Sequence, residues 1–166
     1  MLEFAFSGSI DCSILMIGPN NKRGTMLKQM ESFKAGEGLP WQEVVETLPF
    51  NQDGLLPAIA QQYDTKEVLM MAWMNRESLA ETIETGRVCY WSRSRQKLWR
   101  KGESSGQVQL LKDMLFDCDG DTILLMVDQT GPACHSGRRS CFYNALRGDQ
   151  LEVVADPLID PKELYK

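Results

Sequence analysis

Apolar residues recur with two different periods between residues 40 and 129. After Pro40, the stretch 41–48 places apolar side chains at helical spacing with the proline near the first turn, which predicts a short helix. Residues 56–63 and 68–74 are apolar runs of strand length. The polar Asp64-Thr65-Lys66-Glu67 separates them, so they predict a β-hairpin. Asn75 then supplies a helix cap, residues 76–85 a helix, and Gly86 its left-handed stop. Further strands are predicted over 87–94, 107–116 and 122–129. Hairpins interrupted by one helix predict an α+β fold with a mainly antiparallel sheet and a few short helices.

The flanks lack this patterning. Residues 1–38 carry Gly, Asn and Lys clusters and no sustained period, and are expected to be poorly ordered or to pack peripherally. Residues 39–146 form the expected domain, and a polar tail is expected over 147–166. At 166 residues, the chain can bury about 70% of its unfolded surface in one core.

The formal charge of −5 argues against general nucleic-acid binding. No apolar run approaches the roughly 20 residues of a membrane span. The apolar start has no basic leader and is interrupted by Asp11, so a cytoplasmic location is expected. Five cysteines without an export signal are expected to be reduced thiols, for which metal binding is the better default than disulfides.

Three of those cysteines and the sole histidine fall in DCDGDTILLMVDQTGPACHSGRRSC, residues 117–141. Cys118, Cys134 and Cys141 are spaced C-x15-C-x6-C, which is not a zinc-finger pattern. Three thiolates are nonetheless a good zinc set, and a water in the fourth position would make the site catalytic. The alternative is three unrelated cysteines packed as small hydrophobes. Asp117, Asp119 and Asp121 alternate. In an extended segment their carboxylates share one face, fit for a hard cation such as Mg²⁺, while Cys118 points to the other. The competing reading is a solvated acidic turn; an EF-hand fails because its sixth position would be Thr122 and its twelfth Asp128. His135, beside Cys134, is either a fourth zinc ligand or a general acid/base. Adjacent residues seldom reach one tetrahedral ion, which favours the second.

Upstream, WSRSRQKLWRKGESSG (91–106) is a basic stretch in an acidic chain. Arg93, Arg95, Lys101 and the hydroxyls of Ser92, Ser94, Ser104 and Ser105 suit phosphate, and Trp91 and Trp99 offer faces for a base. Gly102 and Gly106 suggest that the stretch is a loop; the competing reading is a solvated basic face. These residues lead to a zinc-dependent hydrolase acting on an anionic aromatic substrate.

The runs YDTKEVLMMAWMNRESL, ETGRVCYWSRSRQKLWRKGESSG and DCDGDTILLMVDQTGPACHSGRRSCFY, in that order, resemble the phosphoribosyl-AMP cyclohydrolases, which open an adenine ring in histidine biosynthesis. The resemblance runs from about residue 51 to 143, and a chain ending soon after it implies a monofunctional form. It further implies Asp117, Asp119 and Asp121 as magnesium ligands. Cys118, Cys134 and Cys141 become zinc ligands contributed by both chains of a homodimer, with the metal sites at the interface. The implied reaction is hydrolysis of the N1–C6 bond of 1-(5-phosphoribosyl)-AMP, with His135 moving protons and the basic stretch holding phosphates. A different class of protein, a closed Cys3His zinc module binding single-stranded nucleic acid through Trp91 and Trp99, is disfavoured by the acidity and the missing C-x2-C pairs.

Overall fold

The computed structural model describes residues 25–164. Helix α1 (Thr25–Met30) and helix α2 (Trp41–Thr47) precede strands β1 (Leu56–Gln62) and β2 (Val68–Met74), helix α3 (Arg76–Thr85), and strands β3 (Cys89–Ser92), β4 (Lys97–Arg100), β5 (Gln109–Phe116) and β6 (Ile123–Gln129). A small hairpin, β7 (Asn144–Arg147) and β8 (Gln150–Val153), and a single 3-10 turn (Pro161–Glu163) end the described chain.

Six strands form one sheet in the order β4-β3-β2-β1-β6-β5. All neighbours pair antiparallel except β1 and β6, which run parallel with Ala58 opposite Ile123 and Gln62 opposite Val127. The sheet curls on itself. Arg87, at the entry to β3, bridges Leu110 of β5, with the Val88 amide donating to the Gln109 carbonyl at 3.0 Å and the Leu111 amide to the Gly86 carbonyl at 2.8 Å. The curl encloses a core of Leu56, Ala58, Leu69, Met74, Tyr90, Ile123 and Leu125, with Leu79 of α3 against it. Buried and half-buried positions alternate along β1, and β6 is buried more continuously, as suits the central strands of the curl.

Local signals explain the elements that frame the site. Asn75 accepts from the Ser78 amide at 2.8 Å, while Ser78 Oγ accepts from the Asn75 amide at 3.0 Å, a reciprocal capping box. Gly86 ends the helix at φ 66°. The buried Thr82 hydroxyl accepts from the Cys89 amide at 2.9 Å, which docks α3 on β3.

One expectation changes. The 91–106 stretch is not one loop: a four-residue turn folds Lys97–Arg100 back on β3 as β4, pairing Ser92 with Lys97 and Tyr90 with Trp99. The adjacent Leu98 and Trp99 between two charged residues are too short an apolar signal to separate a strand from a loop. The leading extension lies partly outside the described residues, but α1 belongs to it, and Leu27 and Met30 pack peripherally against the core. The tail carries β8, the second strand of the β7–β8 hairpin, and the 3-10 turn. Among the described residues no helix is long and apolar enough to cross a membrane.

Candidate active site

The segment after β6 is a compact loop whose backbone closes on itself. The Ala133 and Cys134 amides donate to the carbonyls of Arg139 and Arg138 at 3.0 and 3.1 Å. Its far end is pinned to β2, where the Cys141 amide donates to the Leu69 carbonyl at 2.7 Å and Ser140 Oγ to the Val68 carbonyl at 2.8 Å. Cys134 and Cys141 are thereby placed side by side. Crowding of the Cys141 thiol by surrounding atoms, and next the neighbouring Cys134, push it up to about 12, although the residue as a whole keeps solvent contact; the Lys101 ammonium pulls the other way. Ser136 Oγ donates to Cys134 Sγ at 3.0 Å, and His135, exposed, has Nδ1 at 4.0 Å from the same sulfur.

Lys101 is only 6% exposed and donates from Nζ to the Ala133 carbonyl at 2.8 Å. Burial pulls its pKa down, and the thiols of Cys141 and Cys134 oppose that. Its Nζ also lies 5.6 Å from the Trp99 ring centroid. One buried cation thus joins the basic strand pair to the thiol loop. The rest of the basic stretch lines open ground. A cleft of about 730 Å³ is bordered by Met71, Ala72, Trp91, Ser92, Arg93, Ser94, Arg95 and Trp99. A second, of about 490 Å³, shares Arg95 and Trp99 and adds Ser104. Arg93, Ser94 and Arg95 are exposed on the β3–β4 turn. Arg95 Nε donates to the buried Ser92 hydroxyl at 3.2 Å, and the Arg93 guanidinium sits 4.8 Å from the Trp73 ring. Ser104 and Ser105 lie on the turn that Gly102 and Gly106 enter and leave at φ 79° and 72°. At Gly102 a side chain would meet the Gln107 and Val108 backbone at 2.5 Å, so the turn requires glycine there.

Residues 117–122 connect β5 to β6. Extended alternation does not bring their carboxylates together; a tight turn does. The Asp117 amide donates to the Thr122 carbonyl at 3.1 Å and the Thr122 amide returns to Asp117 Oδ1 at 3.1 Å. Gly120, at φ 77°, lets the chain pass beneath Leu27 and Leu48. In consequence ligand oxygens of Asp117, Asp119 and Asp121 lie within 4.8 Å of one another, the only such triad among the described residues. Three exposed carboxylates at that spacing suit a hard, oxygen-seeking cation.

Cys118 does not join Cys134 and Cys141. It sits on the turn that leads into β6, whereas Cys134 lies beyond the far end of that strand. At about 3.3 Å per residue the seven residues of β6 alone separate them by about 20 Å. Cys141 hangs on β2, three strand spacings from β5, or about 14 Å sideways at roughly 4.8 Å each. Zinc–sulfur bonds are about 2.3 Å. One chain therefore presents a pair of thiols in one place and a single thiol in another.

Arg139 escaped the sequence reading. Its guanidinium donates from Nη1 to the carbonyls of Gln129 (3.2 Å) and Gly131 (2.9 Å), from Nη2 to Gln62 Oε1 (2.8 Å), and from Nε to Glu67 Oε2 (3.2 Å). It fastens the thiol loop to β1 and β6. Behind it runs a buried chain in which Tyr90 donates to Gln109 (2.7 Å) and Gln109 to Gln129 (2.8 Å). A signal did exist: Gln62, Gln109 and Gln129 occupy inward positions of apolar strands, where polar side chains persist only if fully hydrogen-bonded.

Comparison with known proteins identifies the family. A family profile described as phosphoribosyl-AMP cyclohydrolase matches residues 70–143. Curated proteins named phosphoribosyl-AMP cyclohydrolase are similar over far more of the chain. That of Halorhodospira halophila is 65% identical over 140 residues, covering 84% of this chain and 99% of the relative. That of Alkalilimnicola ehrlichii is 66% identical over 140 residues with the same shares. That of Paramagnetospirillum magneticum is 68% identical over 123 residues, covering 74% and 93%. With about two thirds of its aligned residues identical over nearly the full length of such relatives, the chain belongs to the phosphoribosyl-AMP cyclohydrolase family.

Proposed function

We propose that this protein hydrolyses the N1–C6 bond of the adenine ring of 1-(5-phosphoribosyl)-AMP in histidine biosynthesis, as a cytoplasmic homodimer using zinc and magnesium. The observation that carries the reading is the junction at Lys101. It sets an arginine- and tryptophan-lined cleft directly against a thiol pair, in a chain of this family.

The donor sets fit the two ions. Cys134 and Cys141 offer soft sulfur beside a cation that balances thiolate charge, and Cys118 of a second copy would complete the set. Asp117, Asp119 and Asp121 offer hard oxygen for magnesium. Bound zinc would lower the pKa of water toward neutrality, and magnesium would polarise or hold the substrate.

The chain's own residues do the remainder. Arg93 and Arg95, exposed on the β3–β4 turn, take phosphates bidentately, with Ser94, Ser104 and Ser105 as hydroxyl donors. Trp91 and Trp99 stack the purine. Lys101 holds the Ala133 carbonyl and so fixes Cys134 relative to the cleft. As water oxygen bonds to C6, the N1–C6 electron pair goes to N1. His135, with Nδ1 turned toward Cys134, uses Nε2 to carry a proton from the water to N1. The second water proton passes to the exocyclic nitrogen on C6, and C6 becomes the carbonyl carbon of a carboxamide.

The test is turnover of phosphoribosyl-AMP, followed by the absorbance change of ring opening, before and after a chelator and after zinc is restored. Loss and recovery are expected. Full turnover in chelated, metal-free protein would refute the metal requirement, and no turnover under any metal would refute the activity.

A further inference from the structure

We infer that the β7–β8 hairpin is an arm that docks on the β5 end of a second copy of this chain. The inference rests on the shared-site reading above and names the surface that brings it about.

Four large apolar side chains crowd a segment of a dozen residues: Phe142 is 60% exposed, Leu146 71%, Leu151 72% and Val153 58%. The hairpin strands are four residues each, pair among the described residues only with one another, and carry no buried position. An isolated two-stranded hairpin is marginal in water, and solvent exposure of Leu146 and Leu151 opposes it further. The base is firmly held. The Val154 amide donates to the Tyr143 carbonyl at 2.9 Å, Arg138 stacks 4.3 Å from the Tyr143 ring, and Arg138 Nε donates to the Ala155 carbonyl at 2.7 Å. A rooted arm with an uncovered apolar surface needs a cover.

Position in the chain identifies the cover. The root of the hairpin is two residues past Cys141. Cys118, the thiol that one chain does not bring to Cys141, is three residues past Leu115, which is 45% exposed on β5. Beyond its bridge at Leu110, β5 has a strand on one side only among the described residues. Sulfurs on one zinc ion lie about 4 Å apart, given bonds of about 2.3 Å. Seating the partner's Cys118 beside Cys141 therefore carries the partner's β5 end to the root of the arm. The arm itself is about 13 Å long at roughly 3.3 Å per residue, enough to lie along it. Two-fold symmetry repeats the contact, so each copy gives an arm and receives one.

Two full-length variants test this by sedimentation, zinc content and hydrogen exchange: Leu146→Asp with Leu151→Asp on the arm, and Leu115→Asp on the receiving surface. Each is expected to sediment at the 18.8 kDa chain mass and to lose zinc. Each should keep the slow exchange of β1 and β6 amides that marks a folded core, and amides of residues 144–153 should exchange freely. A dimer with full zinc in the arm variant overturns the inference while leaving the shared site standing. A dimer in Leu115→Asp with 144–153 still protected also overturns it, assigning the cover to another surface such as residues 1–24. Wild-type protein that is a zinc-loaded monomer would instead refute the shared site itself.

Discussion

If no single chain can assemble three thiols, two differently damaged chains should repair each other, by an amount that can be calculated. Consider Cys118→Ser and Cys134→Ser, each inactive alone, mixed in equal amounts and allowed to exchange subunits. Random pairing makes about half of all dimers mixed. In an isologous two-fold dimer a mixed pair has one site built from two damaged contributions and one built from two intact ones. About a quarter of all sites are then complete, and zinc content and turnover should both recover to about a quarter of wild type. The geometry also supplies a control. Cys134 and Cys141 come from the same loop, so Cys134→Ser mixed with Cys141→Ser should recover nothing, every site lacking one thiol of the pair. Absorbance of ring opening measures activity, and a chromophoric chelator measures zinc released on denaturation. Recovery in the control mixture, or none in the test mixture once a tagged chain proves exchange, would refute the roughly 20 Å separation argued from β6.

Other expectations are more local. Arg139→Ala removes a donor from the Gln129 and Gly131 carbonyls and from Gln62 Oε1, which keeps the Gln129 amide at 3.1 Å. It should cost about 1–3 kcal/mol in a denaturant titration and weaken zinc roughly 10- to 100-fold by competition, with Arg139→Lys recovering part of the zinc affinity. His135→Ala should keep zinc and dimer but lose roughly 10²–10⁴-fold in kcat; loss of zinc would make it a ligand instead. Arg95→Ala should raise KM and leave Tm nearly unchanged, since the side chain is exposed. Burial and then Glu81 push the Cys89 thiol up to about 12 from 9.0. The folded state therefore keeps a proton that the unfolded chain releases, and stability present below pH 9 should fall by up to roughly 1.4 kcal/mol per pH unit toward pH 12. Cys89→Ala should flatten that alkaline limb, and an unchanged slope would refute the assignment.

What the sequence made legible follows from the range of the forces involved. The α3 cap at Asn75, its stop at Gly86 and the 56–74 hairpin depend on neighbours a few residues away, and all are present. The parallel pairing of β1 with β6 joins residues more than sixty positions apart, and no local pattern encodes that choice. Strand β4 was hidden because Lys97 and Arg100 face outward and only Leu98 and Trp99 carry an apolar signal. Lys101 looked like one more surface cation in a basic run. Its burial comes from the Ala133 carbonyl, 32 residues away, which only the folded sheet supplies. The aspartate triad was legible as a set, but its means of assembly was not, since the turn depends on Gly120 passing under Leu27 and Leu48.

The placement of Cys118 has one more consequence. Asp117 and Asp119 flank it, and neighbouring Cα atoms are only about 3.8 Å apart. A second copy that delivers this thiol to Cys134 and Cys141 must deliver its carboxylate triad with it. The soft and hard donor sets, which one chain holds at opposite ends of β6, would then become neighbours across the interface, beside the cleft that Lys101 joins to the thiol loop. A monomer would keep an intact fold and an aspartate site, yet no place where one substrate meets both ions. Magnesium affinity measured on the monomeric Leu115→Asp chain should therefore remain near that of wild type while zinc is lost, and joint loss of both ions would show that the triad too needs the partner.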